Sequence, residues 1–503
     1  MSLDMSEEND FKLRKIVIAG GGTAGWMAAA ALSKTLGDLV DIKLVESEQS
    51  GTVGVGEATI PPIITFHRML DIPENEFMRE TQATFKLGIS FENWRVDGEK
   101  YIHSFGTTGK DHWTSGFQHF WLNGLKRGHN ISYDDYCLEL KAALDNKFSH
   151  LPNEGMSYAF HLDSSRYAKF LRRFSEKNSV ERVEGKINKV NLNGESGFIS
   201  SLDLDNGITL EGDIFIDCTG FRGLLIGEAL GIEFEDWTDQ LPCNGAIAVQ
   251  TESTRPAVPY TRSIAHEAGW QWRIPLQHRT GNGIVYCNDF LDENGALDKL
   301  LQTVDGKTIT DPNFIKFRAG TRKKQWHKNC VAVGLSSGFM EPLESTSIHL
   351  IQRNILRFIR MMPYQEISQR DIDEFNNQAD WDMETIRDFL VLHYIANERD
   401  DPFWKMCADI KLTDSLKQKI ELFRETGRVF RQSDELFAEN SWIQVMLGQG
   451  IMPEAHHPIA SKMTDQEMNL FLKTIREGVE KTVKNLPMHH DYVKQYCGVT
   501  ETA

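Results

Sequence analysis

Three consecutive glycines between an apolar run and an alanine-rich segment constrain this chain more than anything else in it. KIVIA (15–19) is followed by Gly20-Gly21-Gly22-Thr23-Ala24-Gly25, then by WMAAAALSKTL and a second apolar run, VDIKLVES. The order is strand, glycine turn, helix, strand. Gly20 permits the tight turn, Gly22 lets the backbone approach a pyrophosphate, and Gly25 lets helix and strand pack closely. Thr23 and Ala24 open a helix whose free N–H groups and positive dipole end face the phosphates. Glu46 closes the second strand 21 residues after Gly25, where a carboxylate can bind both ribose hydroxyls and would repel a 2′-phosphate. The pattern predicts a dinucleotide site without separating FAD from NAD.

Lys12, Arg14 and Lys15 ahead of an uncharged run have the outline of a signal peptide, but glycines break the run and no cleavage signature follows. No other stretch approaches the roughly 20 apolar residues that a bilayer needs. With 503 residues, 40% of them hydrophobic, the chain has the size and apolar content of an enzyme of one large or two joined domains. Its net charge of −17 repels phosphate backbones and anionic lipids, so neither nucleic acid nor a membrane is an expected partner. Seven cysteines without a CxxC pair suit thiols in a reducing cytoplasm, the expected location, and not a disulfide or zinc framework. His456 and His457 beside Glu454, and likewise His489 and His490, read as surface loop, and no metal site is expected.

A later segment favours FAD. GDIFIDCTGF (212–221) is a late strand running into a small-residue turn, with Asp217 and Gly220 placed to hold the flavin cofactor from a second strand. Runs such as GIVYCNDF between about residues 251 and 324 predict an antiparallel sheet with a substrate-facing surface, and from 365 onward the pattern is helical. Thr464 and Glu467 form a capping box ahead of Leu472, Ile475, Val479 and Val483, a packing helix near the C-terminus. The expected fold class is therefore α/β: an FAD-binding GxGxxG Rossmann-like domain of the hydroxylase type, with a mixed substrate-binding sheet and a mainly helical C-terminal part. Residues 11–364 form the core with its interleaved sheet, and 365–503 close the substrate site. GWQWRIP (269–275) places Trp270 and Trp272 on one face of a strand as a rigid aromatic wall.

That last string resembles the W-x-W-x-I-P signature of flavin-dependent halogenases, the tryptophan-halogenase-like family. VGVGEATIPP (53–62) resembles the family's flavin-contacting strap, through Val55 and Gly56. ATFKLGISFENW (83–94) resembles its catalytic-lysine segment, and GLSSGFMEPLESTSIHLI (334–351) its flavin, halide and catalytic-glutamate segment, through Gly334, Leu335, Ser345 and Glu344. YIHSFG (101–106) and HYIANERDDPFW (393–404) are also similar, so the resemblance spans nearly the whole chain.

The resemblance implies that FADH2 and O2 oxidise chloride or bromide to hypohalous acid beside the flavin. The acid then passes through a tunnel to Lys86, which hydrogen-bonds it or carries the halogen as a haloamine. Glu344 would orient the electrophile and stabilise or deprotonate the cationic ring intermediate. Halide would sit on the backbone amides of Thr346 and Ser347; serine at 347 departs from the glycine of the tryptophan-type pattern and leaves halide preference open. The tryptophan wall would keep the substrate from the flavin oxidant, and His103, Phe105 and Trp442 would sandwich an indole. ENSWIQVMLGQGIMPEAHHP lacks the tyrosines of the free-tryptophan enzymes, which points to indole or a larger indole-bearing molecule. A separate flavin reductase is the implied partner besides this small aromatic substrate, and a homodimer stays open. The alternatives are an FAD-dependent aromatic monooxygenase and a flavin-binding protein without turnover. The first is disfavoured by Gly334-Leu335 in place of the usual Gly-Asp, the second by the presence of Lys86 and Glu344.

Overall fold

The computed structural model describes residues 12–48, 56–152 and 155–497. Lys15–Ala19 is a strand, Thr23–Leu36 a helix with Gly22 at its N-cap, and Asp41–Glu46 the next strand. They belong to a six-stranded sheet in the order Trp326–His327, Cys330–Ala332, Ile214–Asp217, Lys15–Ala19, Asp41–Glu46, Glu181–Glu184. All pairings are parallel except that of the edge strand Trp326–His327. The late strand Ile214–Asp217 thus returns to the first one, Ile16 facing Ile214 and Ala19 facing Asp217. A parallel sheet is covered on both faces, which is why Ile16, Val17, Ile18 and Ala19 are all buried. On one face the small side chains Ala28 to Ala31 let Thr23–Leu36 lie close to Ser164–Lys177 and Ser347–Arg360.

The second sheet has seven strands in the order Asn313–Lys316, Gly245–Glu252, Arg279–Tyr286, Gly269–Pro275, Thr261–His266, Gly88–Glu92, Lys100–Ser104. It is antiparallel except where Thr261–His266 runs parallel to Gly88–Glu92. In a small antiparallel sheet Ala159–Asp163 pairs Gly56–Ala58 on one side and Thr84–Lys86 on the other. This strand ties the strap strand, which packs on Gly269–Pro275 and Arg279–Tyr286 of the second sheet, to the lysine segment.

Helices from Gln369–Ile395 to Asp465–Asn485 fill the C-terminal part, the last of them with the capping box between Thr464 and Glu467. Their apolar faces share one core with the seven-stranded sheet: Trp270 and Trp272 pack in the same cluster as Phe389 and Trp442. One expectation fails here. A further helix, His489–Cys497, follows, and His489 is fully buried with Nδ1 donating to the Ala257 carbonyl at 2.8 Å. It is no surface loop, because this short helix folds back against Thr84–Lys86. His457 is half-buried and donates its backbone N–H to His119 Nδ1 at 3.2 Å. All seven cysteines are free thiols, and among the described residues no helix is long and apolar enough to cross a membrane.

A Cβ on Gly25 would lie 1.8 Å from the Gly20 carbonyl oxygen, whereas one on Gly22 would meet nothing within 4 Å. Gly25→Ala should therefore lower stability by about 1–3 kcal/mol through overpacking, measured by urea unfolding, while Gly22→Ala leaves the midpoint nearly unchanged.

Candidate active site

A cavity of about 990 Å³ opens at the C-terminal ends of the parallel strands, the usual ligand position in such sheets. The expected residues Gly20, Gly22, Thr23, Ala24, Glu46, Gly56, Gly220, Gly334, Leu335 and Ser345 line it, as do Trp270, Trp272 and Ser347. The glycine turn is shaped for a ligand. Gly20 adopts φ +110, and a Cβ on Gly21 would overlap Glu46 Oε2 at 1.6 Å, while the space above Gly22 is open. Glu46 is held by Trp26 Nε1 at 3.2 Å and Arg182 Nε at 2.5 Å, which fixes its carboxylate at the wall. An open cradle of backbone amides beside a fixed acid fits the pyrophosphate and ribose of FAD.

One expected cofactor residue is placed otherwise, and another is not described. Gly25 lies behind the turn, packed on Gly20, in keeping with its reading as the glycine that lets helix and strand approach. Asp217 is fully buried, and its carboxylate accepts from the backbone amides of Thr219, Leu225 and Ile226 at 2.8–2.9 Å. It shapes the turn after its strand and does not itself reach the cavity. Val55 lies outside the described residues.

Behind Ser345 stand the two residues expected to do the chemistry. Lys86 ends the strand Thr84–Lys86 and is fully buried; its Nζ donates to Ser345 Oγ at 2.8 Å and to the Thr59 carbonyl at 3.1 Å, and lies 5.2 Å from the centre of the Phe105 ring. Burial pushes the amine down to about 7, against the pull of the Glu344 carboxylate. Glu344 is also fully buried. His103 Nδ1 stands 2.9 and 3.0 Å from its two oxygens, and His393 Nε2 is 2.9 Å from Oε1. Burial alone would raise this carboxyl, but the two histidines outweigh it and hold the group at about 2. His393 is aimed by its other nitrogen, Nδ1, which donates to the Phe389 carbonyl at 2.9 Å. Lys86 and Glu344 thus meet through Ser345 and not in a direct ion pair.

Ser345 takes the left-handed conformation, φ 59, a turn that carries the chain from Pro342–Glu344 into the helix Ser347–Arg360, whose N-cap is Thr346. Amides in the first helical turn have no intrahelical acceptor, so Thr346 and Ser347 sit where an anion can be held. Trp270 and Trp272 share one face of their strand, centroids 6.1 Å apart. Trp270 Nε1 donates to Glu341 Oε2 at 2.7 Å, and the Tyr394 hydroxyl to the same oxygen at 2.5 Å. Trp270 also contacts Trp94, which contacts His393. The wall is therefore continuous with the supports of Glu344. Beyond it, Phe389 stacks on Phe437 at 3.7 Å and meets Trp442 edge-on at 4.8 Å, with His103 alongside at 5.5 Å.

Sequence reading missed Glu341, His393, Thr59 and Phe389 as site residues. Glu341, His393 and Thr59 lie in strings it had singled out, but their roles depend on contacts far along the chain.

The tryptophan halogenase family model matches residues 15–465. The chain belongs to this family. The halogenase is 34% identical to tryptophan 6-halogenase ThaL of Streptomyces albogriseolus, over 98% of this chain and 100% of that one. Among solved structures it is similar to Xcc4156, a flavin-dependent halogenase from Xanthomonas campestris, at 56% identity and a TM-score of 0.95, covering 96% of this chain and 98% of that one. BrvH, a flavin-dependent halogenase from Brevundimonas sp. BAL3, follows at 41% identity and 0.93, covering 96% and 99%. The likeness covers both sheets and the helical part, and the enzyme is a flavin-dependent halogenase.

Burial raises the Glu341 carboxyl from 4.5 to about 7, partly offset by the Tyr394 and Trp270 hydrogen bonds. The native state then keeps a proton that the unfolded chain releases above 4.5, so this contribution is complete at low pH and is lost as pH rises through about 7. Glu341→Gln should flatten the decline of the urea midpoint across that window. Glu57, also raised by burial to about 7, keeps part of the slope.

Proposed function

We propose that this halogenase performs regioselective electrophilic halogenation of an indole-bearing aromatic, with Lys86 and Glu344 as its catalytic pair. The observation that carries the reading is the bond from the Lys86 amine to Ser345 Oγ at 2.8 Å, one residue from a fully buried Glu344 and on the far side of a residue that lines the cofactor cavity. Bound FADH2, with O2, supplies the oxidant that turns chloride or bromide into hypohalous acid. The glycine turn, Glu46 and Gly56 would hold the cofactor, and the amides of Thr346 and Ser347 the halide. Ser345 then stands between the two compartments, with its backbone turn on the halide side and its hydroxyl on Lys86.

An amine lowered to about 7 by burial is available as a neutral nucleophile near neutrality, so we assign Lys86 the role of taking the halogen from hypohalous acid. Glu344, held as a carboxylate by His103 and His393, is a weak base. It suits stabilising the cationic ring and accepting the proton of that strongly acidic species. We assign His103, Phe105 and Trp442 to the indole site; none of them lines the cofactor cavity, and Phe389 and Phe437 stack on each other beside Trp442. The helices from 365 onward would close this chamber. A separate reductase would supply FADH2 by diffusion.

Lys86→Ala should abolish bromoindole formation while flavin oxidation and peroxide release continue, measured with a flavin reductase, NADH, bromide and indole. Wild-type bromination by this variant would refute the role of the lysine, and hydroxylated indole in the wild type would favour a monooxygenase. In the wild type the halogenation rate should rise as pH passes through about 7; a rate that falls across the same range would assign the ammonium, as hydrogen-bond donor, in place of the amine.

A further inference from the structure

The strand that carries Trp270 and Trp272 has a second face, and that face is basic. Arg273 alternates to the side opposite the tryptophans. It stands directly across from Arg262 on Thr261–His266 and from Asn282 on Arg279–Tyr286. Like charges opposed across a sheet are destabilising, so the Arg262–Arg273 pair needs anions beside it.

The protein supplies two. Glu92 takes Arg262 in a bidentate pair, 2.7 Å to Nε and 2.7 Å to Nη2. Asp305 Oδ2 accepts from Arg273 Nη1 at 2.7 Å and from Arg255 Nη2 at 2.5 Å. The arrangement stays incomplete, since one carboxylate oxygen serves two guanidinium groups. Arg273 Nε is buried without a hydrogen-bond partner, as is Asn282 Oδ1 across from it. The Asn282 amide cannot be turned round to donate, because its Nδ2 already donates to Thr251 Oγ1 at 3.0 Å and to the Thr280 carbonyl at 3.3 Å. Burial lowers the Arg273 guanidinium from its ordinary value, with Arg262 adding to the effect.

These groups line a cavity of about 270 Å³, separate from the cofactor cavity and rimmed by the segment that carries Arg255. Its charged lining is Lys100, Arg255, Arg262 and Arg273 against Glu92 and Asp305, a positive pocket on a chain of net charge −17. We infer that this pocket is a binding site for a small oxyanion, and that a phosphate group carrying one proton fits it better than a carboxylate. With the Arg273 and Asn282 side chains turned toward the cavity they line, a phosphate oxygen would accept from Arg273 Nε and Arg255, and its remaining hydroxyl would donate to Asn282 Oδ1; an ionised carboxylate has no such donor. The source is free phosphate or a small phosphate monoester. The inference does not depend on the halogenation chemistry, since the pocket lies on the other face of the sheet.

The test is calorimetric titration of the FAD-loaded enzyme in halide-free buffer with inorganic phosphate, and separately with succinate; FAD occupies the pyrophosphate cradle and removes it as a competing site. The expected result is one phosphate per chain, bound more tightly than succinate and weakened about tenfold in both Arg273→Gln and Arg255→Ala, as loss of one charge-assisted hydrogen bond predicts. Arg255 is exposed, so its variant keeps the test available if Arg273→Gln fails to fold. The site is overturned if phosphate does not bind at one per chain, or binds with the same affinity in Arg255→Ala. Tighter binding of succinate would overturn the assignment to phosphate.

Discussion

A buried amine and a buried carboxylate, linked through one serine, set the terms for much of this structure. Taking a charge out of water costs several kcal/mol unless partners replace the solvent, and neither Lys86 nor Glu344 is accessible. Their partners are therefore fixed by need. Lys86 requires the Thr59 carbonyl and the Ser345 hydroxyl, and Glu344 requires His103 on one side and His393 on the other. Those four groups come from the strap, the Glu344 turn, a strand of the second sheet and the long C-terminal helix. This candidate centre is where distant parts of the chain are forced to agree.

The strand Ala159–Asp163 makes that agreement possible. It pairs the strap strand Gly56–Ala58 with the lysine strand Thr84–Lys86, so a strand that lines the large cavity and the strand that carries Lys86 are held by one three-stranded unit. The segment from Glu341 to Ser347 closes the arrangement. It is pinned at its start by Trp270 and Tyr394, in its middle by the two histidines, and at its end by Lys86 and the helix that follows. The tryptophan wall thus does two things at once: it lines the cofactor cavity and anchors the turn that carries Glu344.

Local pattern exposed much of this in the sequence. The glycine turn, its flanking strands and Glu46 were legible because each step depends on neighbouring residues and backbone geometry. Trp270 and Trp272 were legible as a shared face because strand alternation is local. The resemblance to halogenases supplied Lys86 and Glu344, which are a plain lysine and a plain glutamate when read alone. His393 and Glu341 were not legible as supports, since what gives them their roles is a contact across about fifty residues, His393 with Glu344 and Tyr394 with Glu341. Asp217 was read as facing the cofactor, but buried backbone amides with no other acceptor claim its carboxylate. His489 was misread because a polar dipeptide near a terminus gives no sign that a short helix returns to the core.

The central claim is that the oxidised halogen is formed at the cofactor cavity and used behind Ser345 without leaving the protein. The most direct measurement adds a soluble, fast-reacting diketone scavenger of hypohalous acid to the bromide reaction and follows the yield of bromoindole per flavin oxidised. Passage inside the protein predicts a yield that is unchanged as scavenger concentration rises. A yield that falls in proportion to scavenger, with the bromine recovered on the diketone, would contradict it.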